Sequence, residues 1–88
     1  MKQLSITVSG KVQGVYFRAH AQSQAQKLGL HGFARNEPDG SVYIEVAGEE
    51  KALEAFVAWC HQGSPEAVVE QVLHREQPVA GHQGFTTF

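Results

Sequence analysis

Two glycines and an arginine lie within nine residues, Gly10-Lys11-Val12-Gln13-Gly14-Val15-Tyr16-Phe17-Arg18, and residues of these types at this spacing can hold an anion. Glycine permits left-handed and close-approach backbone, so a chain curled through Gly14 can turn several N–H groups toward one point. A helix beginning directly afterwards adds about half a positive charge at its N-terminus, and Arg18 in its first turn adds a full charge in a planar fork matched to phosphate oxygens. A cation at that end of a helix is mildly unfavourable alone, and is easier to understand with an anion between. A glycine-rich loop of this kind also serves as a plain structural turn. Elsewhere, residues that do chemistry are sparse. Cys60 is the single thiol, and His20, His31, His61, His74 and His82 contain no His-x-x-x-His pair, so neither a metal site nor a cofactor is expected.

The elements that must position this loop follow from hydrophobic period and turn chemistry. Leu4, Ile6 and Val8 alternate with Ser5, Thr7 and Ser9 as in a half-buried strand, which Gly10 is expected to end. Ala21, Ala25 and Leu28 repeat at i, i+4 and i+7, predicting a helix over Arg18–Leu28 with Gly29 at its C-terminal cap. Strands follow over His31–Asn36 and Ser41–Ala47, joined through Glu37-Pro38-Asp39-Gly40 as a tight hairpin. Leu53, Phe56, Val57 and Cys60 mark a second helix over Glu49–His61, stopped by Gly63-Ser64-Pro65. Ala67–His74 reads as a fourth strand, with Val68/Val72 and Val69/Leu73 on opposite phases, so it carries a bulge or is buried on both faces. Gly84–Phe88 adds a short edge strand. The order β-α-β-β-α-β is the split pattern of a ferredoxin-like α+β sandwich: an antiparallel sheet, both helices on one face, the other face partly wet.

Composition bounds what such a fold can do. Eighty-eight residues, 42% of them apolar, suffice for one domain, residues 1–88, and exclude disorder. Residues 1–36 hold Lys2, Lys11, Arg18, Lys27 and Arg35 with no acid, whereas residues 37–88 hold all nine acids against Lys51 and Arg75. A polymeric anion calls for a broad basic surface, and with a pI near 6.2 the chain suits a small anion instead of nucleic acid. A nucleic-acid reader on the open sheet face would need aromatic platforms on central strands; Tyr43 is a candidate, but Ser5 and Thr7 are not. One cysteine, no apolar run of a signal peptide and none of membrane-spanning length give the expectation of a soluble, cytoplasmic protein acting as a monomer.

The loop Gly10–Arg18 resembles the G-x-V-Q-G-V-x-F-R signature of the acylphosphatase family. Gly29-Leu30-His31-Gly32-Phe33-Ala34-Arg35-Asn36-Glu37-Pro38-Asp39-Gly40-Ser41-Val42 resembles that family's second signature, G-φ-x-G-φ-x-x-N-x-x-D-G-x-V, where φ is apolar. The resemblance implies a hydrolase acting on acid anhydrides that splits small acyl phosphates into carboxylate and inorganic phosphate without metal. It also implies that Gln13, Gly14, Val15, Tyr16, Phe17 and Arg18 cradle the phosphate, and that Arg18 and Asn36 are catalytic, Asn36 by holding the attacking water. A non-catalytic anion-binding or regulatory module would need the cradle and Arg18 but not Asn36. Tyr16 and Phe17 either stack on an acyl group or pack, with Phe17 expected in the core. The chain departs from the family at its end, Phe85-Thr86-Thr87-Phe88, which lacks a basic residue. The Phe88 carboxylate is expected to restrain Arg18.

Overall fold

The computed structural model describes residues 1–88. Its elements run β1 (Lys2–Lys11), α1 (Phe17–Lys27), β2 (His31–Asn36), β3 (Val42–Gly48), α2 (Glu50–Gln62), β4 (Val68–Gln77) and β5 (Phe85–Thr87). The sheet order is β4-β1-β3-β2-β5. The first four strands pair antiparallel, as the ferredoxin-like α+β reading expects, and β5 adds itself parallel to β2, making the sheet mixed. Alternation decides which face is dry: Ile6, Val8, Ala34, Val42, Ile44 and Val46 meet Ala21 and Ala25 of α1 and Leu53, Phe56 and Cys60 of α2 in one core. Trp59 closes its edge, with ring centroids 5.1 Å from Phe17 and 5.9 Å from Phe56.

Two sequence expectations change. Gly10 does not end β1, which continues to Lys11. At Ser9/Gly10 the β1–β4 register shifts, pairing Ser9 with Gln71 and Gly10 with Val69, so Glu70 is the extra residue of a bulge. Gly10 sits there at φ 123°, and a Cβ on it would lie 2.2 Å from the Val68 carbonyl oxygen, so only glycine lets the backbones approach. The bulge also resolves the phase conflict in β4: Val69 and Val72 pack on the core while Val68 and Leu73 are exposed.

The second change concerns the face opposite the helices. Between β4 at one edge and β5 at the other, residues 78–84 cross that face as a strap. The Ala80 N–H donates to Gln3 Oε1 at 2.8 Å, His82 Nε2 lies 3.1 Å from Glu45 Oε1, and the His82 ring meets Phe33 edge-on at 5.5 Å. Gln3 is buried under this strap, although it lies on the polar phase of β1. Tyr43 is likewise engaged, its ring under the Arg35 guanidinium at 4.8 Å and its hydroxyl donating to Glu45.

Cys60 is wholly buried, and burial pushes its thiol pKa up to about 12. The unfolded chain therefore releases this proton near pH 9 while the folded chain keeps it. This contribution to stability is flat below pH 9 and declines as pH rises from there toward 12. Iodoacetamide at pH 8 should accordingly modify Cys60 no faster than the protein unfolds, which mass spectrometry of labelled samples with and without urea will read.

Candidate active site

The segment between β1 and α1 forms a tight curl. Val12 and Val15 are buried and anchor it, Gly14 turns it at φ 74°, and Tyr16 completes it in the left-handed region at φ 61°, ψ 23° as the N-cap of α1. The Tyr16 carbonyl already accepts the first helical bond, from His20 N–H at 3.1 Å. No side chain caps this helix end, and no acid occupies the first turn. The first-turn N–H groups and the positive end of the dipole are thus directed at the space before the helix.

Two tethers hold the curl. The Gln13 side-chain amide donates to the carbonyls of Glu37 at 2.8 Å and Ser41 at 2.9 Å, binding the loop to the β2–β3 hairpin. The buried Ser64 hydroxyl donates to the Val15 carbonyl at 2.7 Å, binding it to the end of α2. With one carbonyl held from behind, the curl keeps its orientation. Within the hairpin, Asp39 accepts from both the hydroxyl and the N–H of Ser41, and these bonds hold its carboxyl below the usual carboxylate range.

A cleft of about 380 Å³ opens at this place, bordered by Gly14, Tyr16, Phe17, Arg18, Gln22, Asn36 and Thr87 among others. It brings Arg18 and Asn36 together from opposite ends of a nineteen-residue stretch. Asn36 stands at the end of β2, exposed, and its side-chain amide makes no hydrogen bond within the protein. Arg18 is the one basic side chain on the cleft, and its Nη1 donates to the backbone oxygen of Phe88, so the end of β5 leans on the guanidinium. Of the other bases in residues 1–36, Lys2 pairs with Glu50 at 3.1 Å and Arg35 with Glu37 at 3.3 Å, so folding offsets part of the charge segregation of the sequence.

The remaining cradle residues divide by what they present. Gly14 and Tyr16 border the cleft. Phe17 borders it too, but its ring is in the core against Trp59. Gln13 and Val15 do not border it: the Gln13 amide is spent on the hairpin and Val15 faces the interior. Sequence reasoning missed Ser64, Gln22 and Thr87. Ser64 read only as part of a helix stop, and Gln22, which lines the cleft and donates to Phe85 O at 2.8 Å, carries no local signal. The tether role of Gln13 gives an expected result. Gln13→Ala should lower kcat about tenfold with a smaller change in KM, because the cradle and Asn36 lose their shared reference. Gln13→Glu should not rescue it, since a carboxylate cannot donate to two carbonyls. Steady-state kinetics on both variants check this.

Comparison with known proteins points to one family for the chain and its fold. The Acylphosphatase family model matches residues 4–87. An acylphosphatase of Marinobacter nauticus is 49% identical over 94% of this chain and 88% of its own length. Among solved structures, an acylphosphatase from Bacillus subtilis superposes with a TM-score of 0.97 at 39% identity, covering 100% of this chain and 99% of that one. One from Coxiella burnetii does so with a TM-score of 0.96 at 33% identity, covering 99% and 92%.

Proposed function

Since this chain belongs to the acylphosphatase family, and acyl phosphates are what it hydrolyses, we propose that residues 1–88 act as one domain in which the curl and Arg18 hold the phosphoryl group and Asn36 holds the water. The observation that carries this reading is the unpartnered Asn36 amide facing the same cleft as Arg18 and an uncapped helix N-terminus. An amide offers both a donor and an acceptor, enough to fix a water in direction, but it is no base. The water oxygen attacks phosphorus, the bond from phosphorus to the acyl oxygen breaks, and the electron pair leaves with the carboxylate. The water's proton passes to a phosphoryl oxygen of the substrate.

Energetics favour a site of this economy. A carboxylic acid has a pKa near about 4, so the carboxylate departs with little help from a general acid, whereas an alkoxide from a monoester does not. Positioning and charge stabilisation then supply the catalysis. Cleft residues offer a cation, N–H groups and an amide, and no cluster of three or more metal-ligating side chains forms in the fold. With so good a leaving group needing no Lewis acid, the reading is of a metal-independent enzyme working as a monomer in the cytoplasm on small acyl phosphates. No helix is long and apolar enough to cross a membrane.

The test is phosphate release from acetyl and benzoyl phosphate in the presence of a chelator. Turnover undiminished by the chelator is expected. Binding of phosphate without turnover would instead identify a non-catalytic anion-binding module.

A further inference from the structure

Tyr16 is the only non-glycine residue with positive φ, at 61°, and the residue is 74% exposed at the border of the cleft. Left-handed backbone is unfavourable for a residue with a Cβ and a bulky ring, and glycine or asparagine would meet the turn's requirement better. Packing does not offset that cost. The Tyr16 ring pairs with no other ring and its hydroxyl makes no hydrogen bond, whereas nearby aromatics are engaged: Phe17 with Trp59, and Phe88 edge-on to Phe33 at 5.5 Å. Neither the backbone nor the core accounts for an aromatic residue at this place.

The cleft has a use for one. Its polar groups, Arg18, the helix N–H groups and Asn36, suit the phosphoryl end of a substrate and say nothing about the acyl end. Tyr16 and Ala19, three residues apart at the start of α1, are the exposed apolar surface beside them. In-line displacement puts the acyl group on the side of phosphorus away from the water. Asn36 reaches the cleft from β2, and Tyr16 reaches it from a different wall, the N-cap of α1.

We propose that the Tyr16 ring is the acyl-reading surface of this cleft, and that it favours acyl phosphates with a flat, apolar acyl group over acetyl-sized ones. This rests on the acyl phosphate hydrolysis assigned above. A ring-on-ring contact of ordinary strength corresponds to about three- to tenfold in selectivity.

The readout is the ratio of kcat/KM for benzoyl phosphate to that for acetyl phosphate, because any general disturbance of the curl scales both substrates alike. Tyr16→Phe should keep the ratio within about twofold of the parent, and Tyr16→Asn, which tolerates the left-handed backbone, should lower it about three- to tenfold. An unchanged ratio in Tyr16→Asn overturns the proposal. Should Tyr16→Asn lose turnover altogether, calorimetric binding of phenylphosphonate against methylphosphonate decides. A preference for phenylphosphonate in the parent that vanishes in Tyr16→Asn supports the proposal, and one that persists, or is absent from the parent, overturns it. Failure of the underlying reading is distinguishable, since the parent would then hydrolyse neither acyl phosphate while the phosphonate comparison still reports on Tyr16.

Discussion

Asn36→Ala should lower kcat by about 10²–10³ while KM for an acyl phosphate stays within a few-fold of the parent value. The size follows from removing one oriented donor and acceptor from a reacting centre, and the kcat/KM split follows from what Asn36 would touch: the water, not the phosphoryl charge. The fold should be indifferent. Asn36 is exposed, its side chain bonds to nothing in the protein, and its pairing with Val42 is through backbone, which alanine retains. An unchanged melting temperature alongside the kinetic loss is therefore part of the expected result. Asn36→Asp should be no better than alanine, because it removes the donor and brings a negative charge toward the phosphoryl oxygens. Retention of a third or more of the parent turnover in Asn36→Ala would sink the assignment.

Arg18→Ala should damage binding and rate together, with a loss in kcat/KM of about 10²–10⁴. A guanidinium facing phosphate makes two charge-assisted bonds in parallel, each contributing about 1.5–3 kcal/mol. Arg18→Lys separates charge from geometry. Lysine restores the positive point charge and should recover part of KM, but it lacks the planar fork and should leave most of the kcat deficit. Inhibition by inorganic phosphate should weaken in parallel with KM across the series, and a phosphate affinity unchanged in Arg18→Ala would place the anion elsewhere. Because Arg18 also donates to the Phe88 backbone oxygen, the alanine variant should loosen β5 as well. Hydrogen exchange at Phe88 N–H, which bonds to the Ala34 carbonyl at 3.0 Å, separates that effect from the catalytic one.

The parts of this molecule legible in its sequence are those governed by neighbours in the chain. The stripe Leu53, Phe56, Cys60 reads as a helix because burial on one side recurs with the helical period, and Pro38-Asp39-Gly40 reads as a turn from backbone preference alone. Arg18 and Asn36 were legible as a pair through the motifs flanking each, and the fold does bring them to one cleft. What stayed hidden depends on distant partners. Gln13 looks like a cradle residue until its amide is seen bonded to carbonyls 24 and 28 residues away. The parallel placement of β5 follows from pairing with residues 53 positions away, and the covering of Gln3 by residues 78–84 from a contact across 77 positions, for which a segment without apolar period gives no hint. The bulge at Glu70 lay between. A conflict of phase in the valines was visible, but its location needed the register against β1.

The strap over the sheet also orders events in time. It joins the two outermost strands, β4 and β5, so it has no surface to lie on until β1, β3 and β2 have assembled beside β4. Pairing β5 with β2, 53 positions away, is entropically costly until those contacts exist to offset it, which makes the strap and β5 late arrivals on the folding route. Thr87 borders the cleft and Phe88 reaches Arg18 only after that docking. The chain therefore gains its core before it gains its finished cleft, and the return of full activity in a refolding experiment marks the end of folding, not the collapse that packs Trp59 against the core edge.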